Sequence, residues 1–305
     1  MKNMRPQAVD WKTLTFGVEI EFIGGHPEQL ELLPGWIMSL DERQLDETGL
    51  ESGSELKPPP LLWEDREQIR VMLDRLLAQG AAMNWSCGLH VHVGLEPWGQ
   101  EIVPRLLDAA LQCQEAIGKL LATSPHRRLF CPPVTPAMRE RYAAAPEEES
   151  VRYFGRPQSH RCGINTAAWF DIQTVEIRYA NGSLDYEEIL ATAELCLRFV
   201  AAVGEGRTLS SDHEELARQL GVPSCGYPPP LPPPRWFEER TWLEEALIPV
   251  LASTAAELVK DGEIHHILPV PDGMLLAVED REGRLFKFIV QPPAAKWTVL
   301  RQIEG

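Results

Sequence analysis

The chain has 305 residues, a hydrophobic fraction of 44% and a formal net charge of −16. That size and apolar content support one large domain with a smaller appendage and exclude a disordered or fibrous protein. The acidic balance, with no Lys/Arg block, argues against nucleic acid as the main partner, because phosphate contacts need a basic face. A phosphorylated small molecule stays admissible, since a bound cation attracts it locally.

Residues 1–12 hold no apolar run of signal-peptide type, and no later stretch is long enough to span a bilayer. The six cysteines are scattered, with no C-x-x-C pair. A cytoplasmic protein with reduced, structural thiols is the expectation.

Residues 14–23 alternate and predict a strand that Gly24 and Gly25 end. Short extended pieces follow near 36–38 and 52–57, the second stopped by three prolines. Residues 63–78 place Ile69, Met72, Leu73, Leu76 and Leu77 at helical spacing, with Gly80 as the cap. A second alternating strand covers 88–95, and a helix 102–121. Residues 123–159, rich in Pro, Arg and Glu, read as a long excursion over the surface, of the kind that serves as a lid or binding loop. Residues 161–168 and 173–180 read as two hairpin strands, and 186–203 as a helix. A short helix at 213–220 precedes the proline-rich 227–235, an expected polyproline-II connector. Residues 236–258 read as helix and 263–303 as a small antiparallel meander. A soft domain boundary is placed at 205, giving a catalytic domain over 1–205 and a C-terminal extension over 206–305.

Three strands carry charge on one face. Side chains two apart on a strand share a face. Phe16, Val18, Ile20 and Phe22 therefore oppose Glu19 and Glu21; Leu89, Val91 and Val93 oppose His90 and His92; Val175, Ile177 and Tyr179 oppose Glu176 and Arg178. A solvated sheet face is the plain account of such alternation. Yet Glu-x-Glu on one face is repulsive unless a cation lies between the carboxylates. Glu19, Glu21, His90, His92 and Glu176 thus form a candidate metal set, with Arg178 beside it and Glu55 as a further ligand. Oxygen donors in the majority suit Mg²⁺ or Mn²⁺ better than structural Zn²⁺. His26, His126, His160 and His213 lie in turns, loops or a helix cap. His265 and His266 oppose faces and are not expected to chelate together.

The order Gly17-Val18-Glu19-Ile20-Glu21-Phe22, Ser54-Glu55-Leu56 before prolines, Gly88-Leu89-His90-Val91-His92-Val93-Gly94 and Thr174-Val175-Glu176-Ile177-Arg178, with Arg161 and Asn165 ahead of the last element, resembles the amidoligase family. That family belongs to the carboxylate–amine ligases related to glutamine synthetase and glutamate–cysteine ligase. The resemblance covers about residues 14–203. It implies an α+β fold: a curved antiparallel sheet of the glutamine-synthetase catalytic type, with helices on its convex face and ATP with two or three divalent cations on the concave one. Glu19, Glu21, Glu55, His92 and Glu176 match metal positions, and His90 stands beside them. Arg178 matches an arginine near the transferred phosphate, and Arg161, with Asn165, is assigned to nucleotide or acid substrate. Glu55 or Asp41 is the candidate base. Two departures, Asp41-Glu42-Arg43 without a following Ser and Lys57-Pro58 in place of Ser-Pro, fall where substrate would be read.

The expected activity is ATP- and Mg²⁺-dependent amide formation between small-molecule or peptide carboxylates and amines. Two other readings are a metal-dependent hydrolase built on His90 and His92, and a non-catalytic nucleotide- or peptide-binding module. The C-terminal portion is either a buttress or a docking module for a protein partner.

Overall fold

Nine residues of alternating burial, Phe16–Gly24, form the first strand, β1, and set the pattern for the sheet. The structure is a computed structural model and describes residues 7–40, 44–50, 52–154, 161–280, 282, 284–291 and 298–303. The following elements are β2 (Ile37–Ser39), β3 (Gly53–Lys57), α1 (Glu67–Ala78), β4 (Ala81–Ala82), β5 (Gly88–Gly94), α2 (Val103–Leu120), α3 (Pro136–Ala144), β6 (Ile164–Asn165), α4 (Ala168–Ile172), β7 (Thr174–Asn181), α5 (Tyr186–Gly204) and α6 (His213–Leu220). Then come α7 (Arg235–Leu258), β8 (Glu263–Val270), β9 (Gly273–Glu279), β10 (Leu285–Gln291) and β11 (Thr298–Ile303). The fold is α+β, with a large antiparallel sheet in the order β2-β3-β1-β5-β7-β6 and β4 paired to β1.

The helices start and stop where local chemistry requires. Asp185 accepts hydrogen bonds from the backbone N–H groups of Glu187 and Glu188 and so caps α5. Gly80 follows α1 at φ +81°, a left-handed turn that glycine adopts without a Cβ clash. The apolar face of the sheet (Phe16, Val18, Ile20, Phe22, Leu89, Val91, Val93, Val175, Ile177) shares one core with Ile69 and Met72 of α1, Leu106 and Leu107 of α2 and Ile189 and Val200 of α5. Burying each large side chain contributes about 1.5–3 kcal/mol. That stabilisation fixes the strand register, because a slip of one residue would turn the charged set into the core.

Packing divides the chain into two units: the first ends with Pro232, and the second takes Phe154 and the residues from Pro233 onward. The segment 206–232, grouped by composition with the C-terminal portion, packs with the first unit: Leu209, Leu216, Ala217, Leu220 and Tyr227 join its core. The second unit is α7 with a sheet in the order β11-β10-β9-β8. Its core is built on Leu251, Ala255, Ile267, Leu276, Val278 and Val290.

Three expectations change. The stretch 123–159, where described, is no loose excursion, since it contains α3 and buries Arg127, Val134, Met138, Tyr142 and Val151. Its apolar residues, spaced among Pro and Arg, hid that packing. The first hairpin strand shrinks to Ile164–Asn165, because α4 occupies the connection and Gln173 closes it at φ +60°. In β8 a bulge between Ile264 and His266 cancels the alternation, bringing His265 Nδ1 within 2.8 Å of His266 Nδ1.

Candidate metal centre

Register builds the site. Glu21 lies opposite Glu55 across β1 and β3, Glu19 opposite His90 across β1 and β5, and His92 opposite Glu176 across β5 and β7; Asn165 of β6 faces Glu176 in turn. Four adjacent strands thereby present one row of ionisable groups, while their alternate residues stay in the core.

The side chains converge. His90 Nδ1 lies 3.1 Å from Glu19 Oε2, and His92 Nε2 lies 3.2 Å from Glu19 Oε1 and 3.9 Å from Glu176 Oε1. Glu19, His92 and Glu176 form one set of donors within 4.8 Å of one another, and Glu19, Glu55 and His90 form another. Glu21 is turned slightly aside, accepting a 2.5 Å hydrogen bond from the Gly88 N–H and lying 3.7 Å from His90 Nε2. Glu55, His90 and Glu176 are buried, and Glu19, Glu21 and His92 nearly so.

The two imidazoles differ. His92 Nδ1 is tied to Thr174 Oγ1 at 2.9 Å, whereas its buried Nε2 has no hydrogen-bond partner. An imidazole anchored through one nitrogen, with the other set 3.2 Å from one carboxylate oxygen and 3.9 Å from a second, is placed as a metal ligand would be. His90 is boxed in by Arg127 Nη2 at 3.5 Å from Nε2 and Arg178 Nη1 at 3.3 Å from Nδ1. Guanidinium groups only donate. They therefore compete with a cation for the imidazole of His90, which also stands in the Glu19/Glu55 donor set.

Arg178 is buried and paired with the Glu176 carboxylate, which also accepts a 2.7 Å hydrogen bond from Asn165 Nδ2. Asn165 therefore supports a carboxylate, a role that its position in the motif did not reveal. Arg161 is exposed and, among the described residues, does not join the cluster. Asp41 lies outside the described residues.

Two basic residues were missed. Lys57 contacts the Glu55 carboxylate and lies 3.6 Å from Glu19 Oε1. The period-two spacing from Glu55 could have found it. Buried Arg127 donates to the carbonyls of Cys87 (3.0 Å) and Arg178 (3.3 Å) behind the row. It comes from the 3-10 turn Pro125–Leu129, and no periodicity marks it.

Electrostatics reflect the crowding. Burial and then the Glu19 charge push the Glu55 carboxyl up to about 9, against the pull of Lys57. Burial acts to raise Glu19 as well, but contacts with His90 and His92 win and hold it well below the usual range. Burial likewise opposes ionisation of Glu176, and the Arg178 charge overcomes it. One carboxylate of the ion-free cluster thus keeps its proton at neutral pH, as expected for acids short of a cation. Because the Glu55 value is raised, its contribution to stability is present below about 4.5 and lost as pH rises through about 9. Metal-free protein is expected to weaken from about pH 5 to about pH 9 in urea unfolding, and Glu55→Gln to flatten that decline. An equal decline in the variant would remove Glu55 as its source.

The chain matches the family model described as "Putative amidoligase enzyme" over residues 31–200. The chain belongs to this family. The match includes Glu55, His90, His92, Asn165, Glu176 and Arg178, and starts downstream of Glu19 and Glu21. Those two are joined to it by the β1 register with β3 and β5. Membership in an amidoligase family supports a ligase enzyme. A search of curated proteins finds no match. Among the described residues no helix is long and apolar enough to cross a membrane.

Proposed function

We propose that the protein is an ATP- and Mg²⁺-dependent carboxylate–amine ligase that works on the charged sheet face, with a sheet of the glutamine-synthetase catalytic type. The open Nε2 of His92, between Glu19 and Glu176 and next to Arg178, carries this reading within an amidoligase family. The donor set fits a hard divalent ion: carboxylate oxygens dominate and one imidazole nitrogen faces two of them. Such an ion, when bound, neutralises charge on phosphoryl oxygens.

The chemistry is a balanced pair of displacements. An oxygen of the acid substrate attacks the γ-phosphorus, and the bond to the bridging oxygen of ADP breaks. The amine nitrogen then attacks the acyl carbon, phosphate leaves with the C–O electrons, and a carboxylate takes the amine proton. Arg178, held by Glu176, presents a fixed positive charge to the transferring group. Glu19 and Glu176 stay ionised to hold cation, while Asn165 and Thr174 orient Glu176 and His92. Glu55 accepts a proton only in its ionised form, which the ion-free cluster resists, so Asp41 remains the alternative base.

The hydrolase reading loses support because His90 is enclosed by two guanidiniums, leaving one open imidazole on the face. The substrates proposed are small-molecule or peptide acids and amines. The test is Mg²⁺-dependent ADP release across a panel of acids and amines, with hydroxylamine added to trap the activated acyl group. The expected result is ADP release that requires an acid, with hydroxamate formed in step. Amide cleavage without ATP, or ADP release indifferent to the acid, would count against the proposal.

A further inference from the structure

The guanidinium of Arg127, 3% exposed, reaches the charged row from behind. The 3-10 turn that carries it, Pro125–Leu129, is fastened to β7 just upstream. Thr123 Oγ1 donates to the Tyr179 carbonyl at 2.7 Å. The Asn181 side chain accepts from the Ser124 N–H at 2.9 Å and donates to the Ala122 carbonyl at 3.0 Å. Room for the guanidinium comes from Gly88, the first residue of β5, where any Cβ would overlap it.

Its far end lands where β5 and β7 fall out of step. Leu89 pairs with Ala180 and Val91 with Ile177, so His90 alone opposes both Arg178 and Tyr179. An extra residue of this kind breaks the ladder locally and re-aims the side chains beside it. Arg127 supplies donors at that break: Nη2 donates to the Arg178 carbonyl at 3.3 Å, and Nη1 to the Cys87 carbonyl at 3.0 Å. Nη2 also lies 3.5 Å from His90 Nε2. The Arg178 N–H in turn donates to the Gly163 carbonyl at 2.8 Å. Both polar groups of the Arg178 main chain are therefore held, while its side chain pairs with Glu176. A rigid guanidinium can hold two carbonyls at once, which a single ammonium does less well.

We infer that Arg127 is a positioning residue for the ligase face: it clamps the β5/β7 bulge and thereby sets how the Arg178 guanidinium meets Glu176. Its functional meaning rests on the ligase reading above, whereas the pairing of Arg178 with Glu176 is measurable without turnover.

The experiment takes the Arg178–Glu176 coupling from urea unfolding of wild type, Arg178→Met, Glu176→Gln and the double variant, and repeats the four on an Arg127→Met background. A residue that only fills space would weaken all four proteins alike and leave the coupling unchanged. The expected coupling on the Arg127→Met background is about half of the wild-type value or less. Arg127→Lys, which still donates, should retain more of it. Gly88→Ala, whose Cβ displaces the guanidinium, carries the same comparison if Arg127→Met does not fold. Acid-dependent ADP release should slow by about 10–100-fold in Arg127→Met, as on loss of other supporting partners, and no further when Arg178→Met is already present. Unchanged coupling would overturn the positioning role, and so would no coupling in wild type; either result leaves the ligase reading to its own test. Reduced coupling in Arg127→Met with no acid-dependent ADP release in wild type would overturn the ligase reading and keep Arg127 as the clamp of Arg178.

Discussion

Replacement of Arg178 by Met is expected to lower stability by about 3–5 kcal/mol, the range for breaking a buried ion pair by removing one partner. The guanidinium is buried against a carboxylate that is 2% exposed, and among the described residues Asn165 Nδ2 and the nearby imidazoles would be left to face that charge. Glu176 is expected to answer by taking up a proton, so the loss should shrink toward low pH. In Arg178→Met/Glu176→Gln the orphaned charge is gone, and stability should recover well beyond the sum of the single changes. Urea unfolding of the four proteins closes the cycle. Additive losses would mean that the two groups do not act as a pair. Turnover should fall by about 10²–10³-fold in Arg178→Met, as when one donor to a developing charge is removed, and should stay low in the double variant. Recovered turnover there would show that Arg178 serves Glu176 alone.

Glu19→Gln is expected to have the largest effect on cation affinity. Glu19 is the one residue common to both donor sets, and each of its oxygens meets a different histidine. Removing an outer-shell partner commonly costs 10–100-fold, so loss of this ligand should weaken Mn²⁺ binding by about 100-fold or more. Glu55→Gln makes the contrast. Because Glu55 keeps its proton at neutral pH, an amide there resembles the native group, and metal-free stability near pH 7 should change little. Isothermal titration with Mn²⁺ and thermal melts of the metal-free proteins separate the two. Unchanged affinity in Glu19→Gln would remove β1 from the site.

Much of the site was legible because a strand has a period of two. Alternation in three short segments gave Glu19, Glu21, His90, His92, Glu176 and Arg178 a common face, and the core shows why it had to: their neighbours are fully buried apolar residues. Alternation could not say which carboxylate meets which imidazole. That depends on register across strands far apart in sequence, including the shift between Leu89 and Val91. Lys57 lies within reach of the same rule, although within the motif it reads as a departure rather than as a member of the charged row. Arg127 carries no periodic signal, and only the tertiary path of the turn after α2 places it behind His90. His265 and His266 show the rule failing, where one extra residue in a bulge sets neighbours side by side.

The second unit gives no comparable convergence among its described residues. Its open groove, of about 650 Å³ and lined by Lys260, Asp261, Asp280, Arg284 and Phe286 among others, mixes both signs of charge. Asp280 and Arg284 pair with each other there. Proline-rich residues precede its helix, and the proposal for this portion is a structural buttress or a docking module for a protein partner.

The central claim is that the charged sheet face holds a divalent ion. Anomalous diffraction from crystals soaked in Mn²⁺ tests it most directly. The account predicts a peak bounded by Glu19, His92 Nε2 and Glu176, present in wild type and absent in Glu19→Gln. Manganese bound elsewhere on the protein with no peak on this face would contradict it.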